Sequence, residues 1–148
     1  MAIPIGTQAP EVPGATIDGP HALVFYKVTC PTCQMAAPAI DRFERGYPGR
    51  IRGVGQDPPD TLASFSEQWG VSFPSVPDLD PYVASSAYGI AHVPTMVIVD
   101  GDGRVAEVVE SWDRDGYNRA SAKLASLLGV EPATISTEGD GLPAFRPG

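Results

Sequence analysis

The chain has 148 residues, 43% of them hydrophobic and 19% charged, with a formal net charge of −8 and two cysteines. Such a length suits one domain that buries its own core without a disulfide or metal staple. The acidic balance excludes the phosphate-neutralising surface on which nucleic-acid binding rests, the lack of any Lys/Arg run argues against an anionic membrane surface, and no stretch approaches the ~20 apolar residues of a transmembrane helix.

Residues 1–20 are rich in Pro and Gly and read as an extended arm or short hairpin. No basic region followed by an apolar one is visible in Met1-Ala2-Ile3-Pro4-Ile5-Gly6; this points to the cytoplasm, with an exported mature form as the alternative. Ala22-Leu23-Val24-Phe25-Tyr26 is a continuous apolar run, long enough for a buried strand. Cys30-Pro31-Thr32-Cys33 follows, with Pro31 suited to the first helical position, where its missing N–H costs nothing. Cys33, Ala36, Ile40 and Phe43 then form one apolar stripe at near-helical spacing. Pro38 predicts a kink in that helix, and Gly46 a C-terminal cap. Residues 50–55 predict a second strand, and Leu62, Phe65 and Trp69 an amphipathic helix stopped by Gly70. Asp80-Pro81 reads as an N-cap followed by proline, opening a short helix that ends at Gly89. Thr95–Val99, the turn Asp100-Gly101-Asp102-Gly103 and the run 104–109 predict a hairpin. Tyr117, Ala120, Leu124 and Leu127 define a closing helix ending at Gly129. The order indicates an α/β domain with a central mixed β-sheet flanked by helices. Residues 1–130 form that single domain, and 131–148, without periodicity, form a loosely ordered tail.

The two cysteines stand three apart, too close to act as a structural staple. Disulfide exchange requires a thiolate. Cys30 follows a buried strand at the start of a helix, where unpaired N–H groups and the helix dipole stabilise an anion. Cys33, one turn further on, is placed to resolve a mixed disulfide by attacking the Cys30 sulfur. Lys27 brings its positive charge either to that thiolate or to solvent. A zinc site needs four ligands, and only His21 and His92 remain to complete one, at spacings unlike a finger or ribbon. Two inert core cysteines are the other bland reading. No metal and no bound cofactor are expected.

The segment Leu23–Pro38 resembles the active-site strand and helix of thioredoxin-like proteins, in which a proline five residues after the second cysteine kinks the helix; Pro38 stands there. Tyr88–Val105 resembles the second signature of that superfamily, in which a cis-proline, here Pro94, opens the strand facing the dithiol. The N-terminal extension and a central insertion from Asp57 to Asp80 are more similar to the TlpA-like and redoxin branch than to minimal thioredoxin. The resemblance covers roughly residues 7–128 and implies a thioredoxin fold. It implies a thiol–disulfide oxidoreductase acting on protein disulfides with a thiol electron donor, and a monomer. It places Thr29, Pro31, Thr32, Val93 and Pro94 around the substrate, with the Val93 main chain free to pair with an extended segment.

There are departures. Thr29 replaces the tryptophan usual before the first cysteine, and Val24 occupies the place of thioredoxin's buried aspartate. Glu67, Asp80 and His92 are left as candidate proton acceptors for Cys33; a surface role with no chemistry is the plainer reading of His21 and His92. A peroxiredoxin-like peroxidase shares the fold and the phrase Cys-Pro-Thr, but its threonine three before the cysteine is Lys27 here. A metal-binding or redox-silent interaction module is the third reading. The direction of electron flow is not set by these residues.

Overall fold

The computed structural model describes residues 2–148. In chain order its elements are β1 (His21–Tyr26), α1 (Pro31–Ile40), α2 (Arg42–Gly46), β2 (Ile51–Gly55), α3 (Pro59–Trp69), β3 (Ser75–Pro77), α4 (Val83–Ala87), β4 (Thr95–Val99), β5 (Val105–Glu110), β6 (Trp112–Asp113), α5 (Arg114–Leu128) and β7 (Phe145–Arg146). Five strands form one sheet in the order β3-β2-β1-β4-β5, and β6 pairs with β7 apart from it. β1 lies at the centre, parallel to β2 and antiparallel to β4. This mixed sheet flanked by helices is the thioredoxin fold.

β1 is apolar from Ala22 onward because both its faces are covered there. Ala22, Val24 and Tyr26 face a core built with α1, α2, α3 and α5, including Cys33, Phe43, Phe65, Tyr117 and Leu124. Leu23 and Phe25 alternate onto the other face, against Val12, Ala15, Ala84 and Tyr88. The N-terminal segment thus makes no hairpin of its own. It runs along β5, where Gly6 N donates to Val105 O and Val105 N donates to Thr7 O, and it buries Val12 and Ala15.

Three sequence expectations change. The helix expected through Gly46 is interrupted at Asp41, whose buried carboxylate accepts from Ser72 N (2.7 Å), Ser72 Oγ (2.9 Å) and Phe73 N (3.1 Å). Gly46 ends α2 as a helical residue and not as its cap, and a side chain there would press on Ala133. At α4, Asp78 and not Asp80 satisfies the first turn, accepting from Ala84 N (3.1 Å) and Ser85 N (2.8 Å). The Asp80–Pro81 peptide is cis, Tyr82 is left-handed (φ 56°), and the helix starts at Val83, two residues later than expected.

The largest correction concerns residues 131–148, expected as a loose tail. They pack back onto the domain. Ile135 is fully buried, its N–H donating to Asn118 Oδ1 (2.8 Å), and Tyr47 Oη accepts from Ala133 N (2.8 Å). Asp140 joins the segment to the body by ion pairs with Arg42 (3.7 Å) and Arg114 (3.6 Å). Hydrogen bonds from Ser136 Oγ and Leu142 N hold its carboxyl below the usual range. Isolated anchors of this kind leave no periodic pattern, which is why hydropathy spacing did not reveal them.

Candidate active site

β1 ends at Tyr26, and a four-residue loop delivers Cys30 to the N-terminus of α1. Cys30 is the N-cap: its Sγ accepts from Cys33 N at 3.2 Å, the place a capping oxygen usually fills. The ten-residue α1 directs its positive end at this sulfur. Pro31 follows at the first helical position. Both cysteines are free thiols, Cys30 partly exposed and Cys33 only 2% exposed. Burial pushes the Cys33 thiol far up, with the Cys30 sulfur and the charge of Asp57 adding to this and hydrogen bonding to the Lys27 main chain opposing it. Cys33 is therefore protonated at neutral pH.

The facing loop completes the site. The Val93–Pro94 peptide is cis, and the Cys30 thiol donates to Val93 O at 3.4 Å. Pro94 joins Val24, Tyr26, Phe65 and Phe73 around Cys33, leaving a void of about 10 Å³ behind the thiol. That is at the lower limit for one water, and its apolar lining offers no partners for one. The aromatic part of this wall depends on glycine. A side chain at Gly53 would meet Phe73 Cε1 at 2.8 Å and Tyr26 Cε1 at 2.9 Å, and one at Gly55 would meet Tyr26 Cζ at 3.2 Å. The Tyr26 ring therefore lies over bare strand, its hydroxyl donating to Ser75 Oγ (2.7 Å).

Of the residues expected at the site, the structure brings Cys30, Pro31, Thr32, Cys33, Val93 and Pro94 to one end of the sheet; Thr29 is exposed in the loop ahead of them. Glu67, Asp80, His92 and Lys27 are exposed. None of the three candidate acceptors figures among the groups acting on Cys33, whereas Asp57 does. Asp57 sits two residues past β2 and accepts from Val28 N at 2.9 Å, pinning the loop before Cys30. The sequence reading took it for a turn residue. The available signal was its position: β1 and β2 are parallel neighbours, so the residues just past their C-terminal ends lie side by side. His21 lies at the opposite end of β1. Among the described residues no group of three or more His, Cys, Asp or Glu is arranged to hold a metal ion, and no helix is long and apolar enough to cross a membrane.

No protein-family model matches the chain, and no curated protein sequence matches it. Solved structures do. MTB dsbF, determined in mixed oxidised and reduced forms, shares 26% identity over 73% of this chain and 82% of its own, with a TM-score of 0.62. A Chlorobium tepidum protein given the name thiol:disulfide interchange protein DsbE shares 20% identity over 86% of this chain and 100% of its own, at a TM-score of 0.72. A secreted Mycobacterium tuberculosis disulfide oxidoreductase homologous to E. coli DsbE shares 22% identity over 74% of this chain and 82% of its own, at a TM-score of 0.59. The chain is thioredoxin-like, with the fold that these thiol–disulfide oxidoreductases share.

Proposed function

We infer that the protein is a thiol–disulfide oxidoreductase in which Cys30 attacks and Cys33 resolves. The observation that carries this is the asymmetry of the two sulfurs: Cys30 is partly exposed at a helix N-terminus, and Cys33 is buried and protonated beneath it. The Cys30 thiolate attacks one sulfur of a partner disulfide. The partner's S–S bond breaks, a mixed disulfide forms, and the departing thiolate takes up a proton. Cys33 then loses its proton, for which we assign as acceptor Asp57, the carboxylate whose charge acts on it, and attacks the Cys30 sulfur. The second partner thiol leaves, and the Cys30–Cys33 disulfide holds the two electrons' worth of oxidation until a thiol donor reduces it. Protein disulfides are the substrates that suit the main chain of Val93, beside which an extended segment can pair as it does at other backbone edges. With a secreted Mycobacterium tuberculosis protein among the structural neighbours, the redox potential is the quantity that discriminates between compartments.

Equilibration of Cys30 and Cys33 in glutathione or dithiothreitol buffers, with Cys30→Ser as control, tests the reading. A potential at or below about −250 mV marks a reductant of the cytosolic kind, and one near about −120 mV an oxidant working outside it. If the two cysteines form no disulfide at any poise, the oxidoreductase reading is wrong.

A further inference from the structure

The end of the segment expected to be loose lies across the dithiol. Beyond the buried anchor Ile135, the chain returns along Trp112–Arg114. Trp112 Nε1 donates to Pro143 O (2.8 Å), Arg114 N donates to Ala144 O (2.9 Å), and β7 pairs antiparallel with β6. The next two residues enter the active site. Thr32 Oγ1, between the cysteines, donates to Pro147 O (2.8 Å), and Gly148 N donates to Ser111 Oγ (3.1 Å). Gly148 lies so close to the Val93 carbonyl that any side chain at 148 would collide with it. Thr32 is only 4% exposed, although it sits in the dithiol loop of an open site. A segment of this chain thus takes the Thr32 hydroxyl and lies against the Val93 carbonyl, the two places that an extended partner segment would use.

We propose that residues 145–148 are a tethered strap seated in the substrate groove, which protein disulfides must displace and small disulfides need not. The inference rests on the oxidoreductase reading above. Two features make the strap displaceable. It is attached through a two-residue strand pair and single hydrogen bonds, and its one large apolar side chain, Phe145, is 58% exposed and so contributes little burial. Its anchors at Ile135 and Asp140 lie upstream and stay in place when it lifts. Cys30 remains partly exposed with the strap seated, so a small disulfide reaches it directly. Strap occupancy therefore sets substrate size selectivity, because the affinity of a partner for the groove is reduced by the fraction of molecules whose groove is open.

The test compares three reduced proteins: the full chain, the chain ending at Ala144, and full-length Gly148→Ala, in which the new methyl group drives the strap off Val93 without shortening anything. Each is mixed with insulin as protein disulfide and with oxidised glutathione as small disulfide. The insulin rate should rise about tenfold in both variants, as expected if one groove in ten is open in the parent. The glutathione rate should stay within about twofold of the parent, since its route to Cys30 bypasses the groove. In nuclear magnetic resonance spectra, the amides of Thr32 and Val93 should shift between parent and variants. An unchanged ratio of insulin to glutathione rates overturns the proposal, as does superposition of the Thr32 and Val93 signals. If none of the three proteins exchanges with either disulfide when reduced, or with reduced insulin and glutathione when oxidised, while those signals shift, the oxidoreductase reading has failed, and gating falls with it although the strap is seated.

Discussion

Asp57 joins the stability of the dithiol loop to its chemistry, and two substitutions separate the parts. Asp57→Ala removes the acceptor of the Val28 amide, a 2.9 Å bond to a carboxylate oxygen. A hydrogen bond to a charged group contributes about 1.5–3 kcal/mol, and the partly buried amide is left without a partner. The variant should lose about 2 kcal/mol, which at a urea slope of about 2 kcal/mol/M lowers the unfolding midpoint by about 1 M. Asp57→Asn keeps an oxygen for Val28 and should lose less than about 1 kcal/mol. It also removes the negative charge that disfavours the Cys33 thiolate, so Cys33 should ionise and alkylate at lower pH than in the parent. The same variant lacks the base proposed above to take the Cys33 proton. Resolution of a mixed disulfide on Cys30, followed by stopped-flow release of a chromophoric thiol near pH 7, should slow by about 10²-fold, the lower end of general-base contributions. Easier ionisation at equilibrium combined with slower turnover is an outcome that mere loosening of the loop does not produce. A parental resolution rate in Asp57→Asn, or a parental urea midpoint in Asp57→Ala, refutes the reasoning.

Two further outcomes follow from packing and charge. Ile135→Ala should cost about 2–5 kcal/mol in urea unfolding, the usual range for truncating a fully buried aliphatic side chain; a loss below about 0.5 kcal/mol would mean that residues 131–142 are not part of the core. His21 has its pKa lowered by burial first and then by the charges of Arg50 and Arg52, with the Gly19 carbonyl (2.9 Å from Nδ1) opposing. Its folded value lies below its unfolded value of 6.5, so the unfolded chain binds the proton more readily. Stability should therefore fall as pH drops below about 6.5, and His21→Gln should flatten that part of the profile. An equally steep profile in the variant removes His21 as the cause.

The elements that carried their own signal were legible in the sequence. β1 announced itself because both faces are buried, and α3 and α5 because each has an apolar stripe ended by a left-handed glycine, Gly70 and Gly129. Cys30, Cys33 and Pro94 were legible through local chemistry and two separated motifs. What escaped was defined by partners distant in sequence. Asp57 matters through an amide 29 residues earlier, Asp78 through the amides of Ala84 and Ser85 six and seven residues later, and the strap through Thr32, 115 residues before Pro147. β3 was hidden because three residues, the last of them Pro77, carry no period long enough to read.

The bare backbone of β2 has a consequence for how this protein can vary by descent. Gly53 and Gly55 are some twenty positions from the dithiol and carry no chemistry, yet they admit the rings that wall in Cys33. In a genetic selection for redox activity, lesions at these two glycines should appear beside lesions at the cysteines. Lineages that keep the dithiol should keep this paired vacancy opposite Tyr26, or change ring and strand together.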